Sequence, residues 1–259
     1  MTFSGVGKNY ANATTVAAGT LQVASGTAVT GNGSMTIAGG ATLLVHGSLS
    51  GTGTLAVNGG TLGGSGTISR AFTLDTGDVL SPGTSVGTLN TIGETWAGGG
   101  RLRLEINDVN AGEGLGWDLV NLIGALSITA TSGSKFTLEI DSLSLGNATG
   151  LIHDWNANSS YSWKFLVASA AGNGFDAGAF AFDVSGFQNP LNGSFSVSQS
   201  GNDLLLNYTA VPEPSSELLG LSGAYLFLTR RRRAVRISER ILFARAPYPP
   251  VILSAAKNL

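Results

Sequence analysis

The 259 residues include only two histidines, His46 and His153, and no cysteine, so the side chains that most often ligate zinc or act as bases near neutral pH are almost missing. His46 precedes Gly47 and is expected at the surface or in a turn. His153 and Asp154 are neighbours in sequence, but successive strand residues point to opposite faces, and no Gly-x-Ser-x-Gly elbow supplies a nucleophile. Cleavage of a polysaccharide needs converging acids, or carboxylates holding calcium near a basic residue. Residues 1–100 offer Asp75, Asp78 and Glu94 with Lys8 and Arg70. Asp75 and Asp78 either meet across a turn or solvate a corner. Gly63-Gly64-Ser65-Gly66 is followed by Thr67 and Ile68 where a calcium-binding nonapeptide needs aspartate. Gly112, Gly114 and Gly116 lack the strand-to-helix setting of a phosphate cradle. The expectation is no catalytic residue, no metal ligand and no cofactor. Trp155, Tyr161 and Trp163 are the best handles for binding, since flat rings stack on sugar faces. Trp155 and Tyr161 are candidate glycan contacts or else pack the base of a loop; Trp163 reads as core.

The elements that must position these residues are strands. Glycine takes 38 of 259 positions and charged residues 12%, against about 7% and 25% in ordinary chains. Apolar residues alternate with Thr and Ser in Thr20–Val23, Ser34–Ile37, Thr42–Val45, Thr54–Val57, Thr67–Ser69 and Thr73–Asp75, which is the period of a strand. Breaks such as Asn32-Gly33, Asn58-Gly59 and Gly63-Gly64 allow sharp turns. Period alone leaves sandwich, barrel and solenoid open. Minimal turns, small residues and few charges favour a parallel β-helix, in which each coil buries its Leu, Val and Ile against the next. Residues 1–100 are expected to be such coils. From Arg101 the strands become richer in charge and aromatics, at Arg101–Ile106, Trp117–Leu122, Lys135–Ile140, Trp163–Val167 and Asp203–Tyr208. Residues 101–209 are expected to be later, wider coils passing into a capping β-sheet, with Leu151–Ser162 a longer exposed loop.

Three segments, Gly5–Gly26, Leu43–Ile68 and Leu80–Asn90, resemble the autotransporter-associated β-strand repeat of bacterial surface proteins. The resemblance implies an exported, right-handed parallel β-helix, usually without catalytic residues.

Val211–Arg233 reads VPEPSSELLGLSGAYLFLTRRRR. Pro212 and Pro214 hold the chain extended, which would present accessible backbone to a processing enzyme. A short hydrophobic helix follows, with Leu218, Leu219, Leu221, Tyr225, Leu226, Phe227 and Leu228 as the membrane anchor, and then Arg230, Arg231, Arg232 and Arg233 as a cytoplasmic stop. Leu218–Leu228 spans only ~16 Å as a helix against a ~30 Å hydrocarbon core, so crossing requires thinning or arginine snorkelling. The alternative for this run is a buried helix with a solvated basic end. Charge supports a membrane topology. Residues 1–229 hold six Lys/Arg against fifteen Asp/Glu, a net −9, while residues 230–259 hold eight against one, a net +7. An acidic body argues against nucleic acid as a partner.

Val211, Pro212, Glu213 and Pro214, the apolar run and the arginines together resemble the PEP-CTERM sorting signal of Gram-negative bacteria. That resemblance implies processing by an exosortase-type membrane protease and association with exopolysaccharide. Residues 234–259, with Pro247, Pro249 and Pro250, are expected to be a disordered extension. Residues 1–18 contain no apolar core of a signal peptide, so this form lacks a visible one, and the coils are expected to be truncated at the N terminus. The functional expectation is an exported, envelope-associated structural or adhesive protein of the cell surface and extracellular matrix. The alternative is a polysaccharide lyase or hydrolase on the same scaffold.

Overall fold

The strand-forming runs of the sequence recur as layers, and the layers stack. The computed structural model describes residues 1–5 and 7–212, of which Met1–Val211 forms one compact unit. One parallel sheet contains Thr2–Phe3, Thr20–Val23, Thr42–Val45, Thr61–Gly64, Val79–Pro82, Arg101–Ile106, Phe136–Ser142 and Phe180–Asp183 in that order. A second runs through Lys8–Asn9, Ala28–Thr30, Ser48–Leu49, Thr67–Ile68, Thr88–Thr91, Leu119–Leu122 and Tyr161–Ala168. A third face carries two shorter parallel sheets, Thr14–Val16, Met35–Ile37 and Leu55–Val57, then Phe72–Leu74, Glu94–Trp96 and Leu126–Ile128. The chain therefore visits three faces in rotation. The fold is all-β, about 49% strand, with long parallel sheets consistent with a β-helix.

Register explains the period. Thr20 pairs with Thr42, Thr42 with Thr61, Thr61 with Val79 and Val79 with Arg101, so each circuit takes 22, 19, 18 and then 22 residues. Because side chains alternate along a strand, in-register stacking lines up identical inward positions. Leu21, Leu43, Leu62, Leu80, Leu102 and Leu138 form one continuous inward column. All six are at most 5% exposed, and burying each stabilises the stack by roughly 1.5–3 kcal/mol. On the second sheet Val29, Leu49 and Ile68 stack likewise.

Glycine is required where corners stack on corners. A Cβ at Gly51 would lie 1.8 Å from the Gly31 carbonyl oxygen, and the residue has φ of +102°. One at Gly53 would lie 2.2 Å from the Gly33 oxygen. The narrow coils thus depend on bare backbone at this corner.

Later circuits lengthen. Arg101 pairs with Thr137 and Thr137 with Ala181, steps of 36 and 44 residues. The added chain forms loops, and aromatics fill the wider interior. Trp96 stacks on Phe136 at 4.6 Å and on Phe165 at 6.4 Å, and Phe136 meets Phe180 edge-on at 6.4 Å. Parallel order ends at Tyr161–Ala168, which pairs antiparallel with Asp203–Ala210, itself paired antiparallel with Gly193–Ser200. Leu151–Ser162 is a loop only to residue 160, because Tyr161 and Ser162 already pair with Tyr208 and Asn207.

Among the described residues no helix is long and apolar enough to cross a membrane. Glu213, Pro214, the run Leu218–Leu228, Arg230–Arg233 and residues 234–259 lie outside the described residues.

Candidate functional site

The corner between the second sheet and the third face runs through residues 50–54 in one circuit and only 69–71 in the next. In the shorter corner Arg70 folds back along the stack. Its Nε and Nη2 donate to the Ser50 carbonyl at 3.0 and 2.7 Å, Nη1 to Gly33 at 2.9 Å and Nη2 to Gly31 at 2.8 Å. The residue is 5% exposed, and burial lowers its pKa. A guanidinium stays charged even so, and its planar fork satisfies carbonyls of two earlier circuits at once. Arg70 is a clasp between coils.

The shortened corner has a second consequence, on the third face. Leu55–Val57 and Phe72–Leu74 lie on successive circuits, with Cα atoms within 8 Å, yet no hydrogen bond joins them and the face divides into two sheets there. A groove of about 550 Å³ opens along this seam, lined by Thr54, Asn58, Thr73, Asp75, Thr95 and Ser127 among others. Thr73, Thr95 and Ser127 stand in one register column facing outward. The lining contains one accessible carboxylate, Asp75, and no cation.

Asp75 and Asp78 meet across a turn, one of the two arrangements expected from the sequence. Asp78 does not solvate a corner: it is fully buried and accepts the backbone N–H of Gly59 at 2.7 Å and of Asp75 at 2.9 Å. Burial raises its pKa. Asp118 is likewise fully buried, accepting from Gly87 at 2.8 Å and Glu105 at 2.9 Å, and desolvation pushes its pKa well up. Both tie turns to the stack. Glu94 occupies an inward position in the column between Phe72 and Leu126. It accepts from Thr91 Oγ1 and from Trp96 Nε1, both at 2.7 Å, and desolvation raises its pKa to about 7. It is buried, so it offers no reacting group to solvent.

On the outer side of the first sheet, Arg101, Arg103 and Glu105 pair in register with Thr137, Glu139 and Asp141. Arg101 meets Glu139 at 2.6 Å, and Arg103 reaches Glu139 at 3.5 Å and Asp141 at 3.6 Å. Glu105 and Asp141 are outward carboxylates placed side by side on neighbouring strands, as are Glu139 and Asp183 one strand further on. Desolvation, and for Glu105 repulsion from Asp141, raises the pKa values of Glu105 and Asp141.

Both histidines are in ordinary surroundings. His46 Nδ1 accepts the Ser65 N–H at 3.3 Å and lies 3.0 Å from Ser65 Oγ, linking turns of adjacent circuits. His153 Nδ1 lies 3.6 Å from Asp108 and 3.5 Å from Asp154. No group of three His, Cys, Asp or Glu able to hold a metal ion occurs among the described residues.

Trp155 and Tyr161 do come together, stacked at 5.0 Å, with Trp163 at 6.2 Å from Trp155 and 5.3 Å from Tyr161. Trp163 is core at 1% exposure. Trp155 is half-buried, donates its indole N–H to the Pro190 carbonyl at 2.9 Å, and meets Phe187 edge-on at 5.0 Å. Much of both rings is therefore spent on the protein's own packing. Of the sorting motif, Val211 donates its N–H to Asn192 at 2.7 Å with its side chain exposed, and Pro212 is exposed. The clasp role of Arg70 and the seam have no local signature in the sequence, because their partners lie one or two circuits away; the change in corner length was the available signal. A scan against protein-family models finds no match for this chain, and a search of the curated proteins finds no similar sequence.

Proposed function

We propose that this chain is an exported structural or adhesive protein of the cell envelope, built as a right-handed parallel β-helix and working within an exopolysaccharide or biofilm matrix. The observation that carries the reading is the in-register stacking, continuous along the first and second sheets, of coils whose outward positions are largely Thr, Ser, Ala and Asn. Such a stack gives a long, regular, weakly charged surface, suited to repeated contacts rather than to one reacting centre. In this reading an exosortase-type protease acts near Val211, Pro212, Glu213 and Pro214, the membrane holds Leu218–Leu228, and Arg230–Arg233 stay on the cytoplasmic side. The exposed Val211 and Pro212 support access by such a protease. In cells that carry an exosortase-type system, the body is expected in the matrix fraction, and a Pro212→Ala/Pro214→Ala variant is expected to accumulate in the membrane fraction. Equal recovery of both from the cytoplasm would end the proposal.

A second reading, a polysaccharide lyase or hydrolase, draws on the paired Glu105 and Asp141, since neighbouring carboxylates with raised pKa values can divide acid and base roles. New reducing ends or unsaturated uronates released by the protein, and lost in Glu105→Gln, would favour it.

A further inference from the structure

The seam on the third face is the one place between Thr14 and Ile128 where that face loses its ladder of hydrogen bonds. Leu55 and Val57 on one strand, and Thr73 on the other, turn main-chain N–H and C=O groups toward each other without pairing. Main-chain polar groups in a folded protein find partners in protein, water or ligand. A peptide strand cannot supply them here: inserting one needs two spacings of ~4.8 Å, while the flanking strands lie within 8 Å. Groups the size of a hydroxyl do fit, and a hydroxyl both donates and accepts.

Around the seam the groove repeats that chemistry. Thr73, Thr95 and Ser127 present one hydroxyl per circuit at the ~4.8 Å strand spacing, and Thr54, Asn58 and Asp75 close the rim. Asp75 is the sole accessible charge and no cation is present, so an anionic polymer meets repulsion and no compensating pair. From these observations we infer that the groove between Leu55–Val57 and Phe72–Leu74 binds a neutral polyhydroxyl chain, an uncharged polysaccharide whose hydroxyls reach the unpaired main-chain groups while Thr73, Thr95 and Ser127 track its length. The inference rests on the matrix reading and names its ligand class and site, which differs from the Trp155–Tyr161 pair.

Affinity electrophoresis of the full chain through gels containing dextran, laminarin or alginate tests it. Retardation is expected with a neutral glucan and not with anionic alginate. Thr73→Val/Thr95→Val, both outward positions, is expected to weaken binding at least ten-fold without changing the melting temperature appreciably. Thr15→Val/Thr36→Val, paired outward positions on the same face but away from the groove, is expected to bind as the parent does. Retardation by a neutral glucan that survives Thr73→Val/Thr95→Val and disappears in Trp155→Ala would overturn the groove while leaving the matrix reading standing. Retardation by none of the three polymers would overturn both, and stronger retardation by alginate would overturn the neutral-ligand assignment. Binding of an extended peptide that competes with the glucan and is lost in Thr73→Val/Thr95→Val would also count against it.

Discussion

Between Thr20 and Pro82 the first-sheet strands return every 18 to 22 residues around Leu, Val and Ile, whereas beyond Arg101 the circuits lengthen to 36 and 44 residues and Trp, Phe and Tyr fill the interior. The two regions solve one packing problem by different means. In the narrow coils the limiting quantity is space, so corners are glycine on glycine and Arg70 serves as a clasp. In the wide coils the limiting quantity is filler, so stacked rings occupy the volume and buried acids such as Asp118 tie the longer loops. The lesson is that a lengthening circuit must change its core chemistry with it, because protein interiors tolerate neither voids nor overlap.

Adding one methyl group to the narrow part and removing one ring from the wide part should cost about the same. Gly51→Ala forces a Cβ onto the Gly31 carbonyl at a positive φ, and Phe136→Ala empties a site that is fully buried. Each is expected to destabilise by about 3–5 kcal/mol in chemical denaturation, or to prevent folding. A near-neutral Gly51→Ala would break the comparison. Arg70→Met should come next, at about 3 kcal/mol, because carbonyls of Gly31, Gly33 and Ser50 lose their donor.

Glu94 lies at the boundary between the regions and sharpens the contrast through pH. Its folded pKa of about 7 is above the ordinary 4.5, so the stability it contributes is complete below about 4.5 and is lost as pH rises through about 7. The full loss is on the order of 3 kcal/mol. Glu94→Gln can keep both partners, accepting from Trp96 and donating to Thr91, so its melting temperature should vary less with pH than the parent's and exceed it at pH 8. Identical pH profiles would contradict the assignment. The smallest effect should be that of Arg101→Ala, whose ion pair with Glu139 is 44% exposed on the arginine side and worth under ~1 kcal/mol.

Much of this was legible in the chain. Thr20–Val23, Thr42–Val45 and Arg101–Ile106 have the bounds their alternating pattern predicts, because a period of two with β-branched residues admits few other readings. Strands of two residues, such as Lys8–Asn9 and Ser48–Leu49, exist only through their neighbours and carry little pattern alone. The roles of Arg70 and Glu94 were hidden for the same reason. Arg70 meets residues 20 to 39 positions away, and Glu94 interrupts an otherwise apolar column that forms only after stacking. Trp163 reads as core from its strand, while the mutual stacking of Trp155 and Tyr161 depends on how the loop returns.

The stacking itself is the central claim, and cysteine pairs probe it directly. Thr20, Thr42 and Thr61 occupy one register position in three successive circuits. Adjacent strands lie ~4.8 Å apart and alternate ones ~9.6 Å, against a disulfide limit of about 7 Å between Cα atoms. Under mild oxidation the Thr20→Cys/Thr42→Cys and Thr42→Cys/Thr61→Cys variants should crosslink within the chain, and Thr20→Cys/Thr61→Cys should not. A Thr20→Cys/Thr61→Cys crosslink, or equal yields from all three pairs, would contradict the stacked coils.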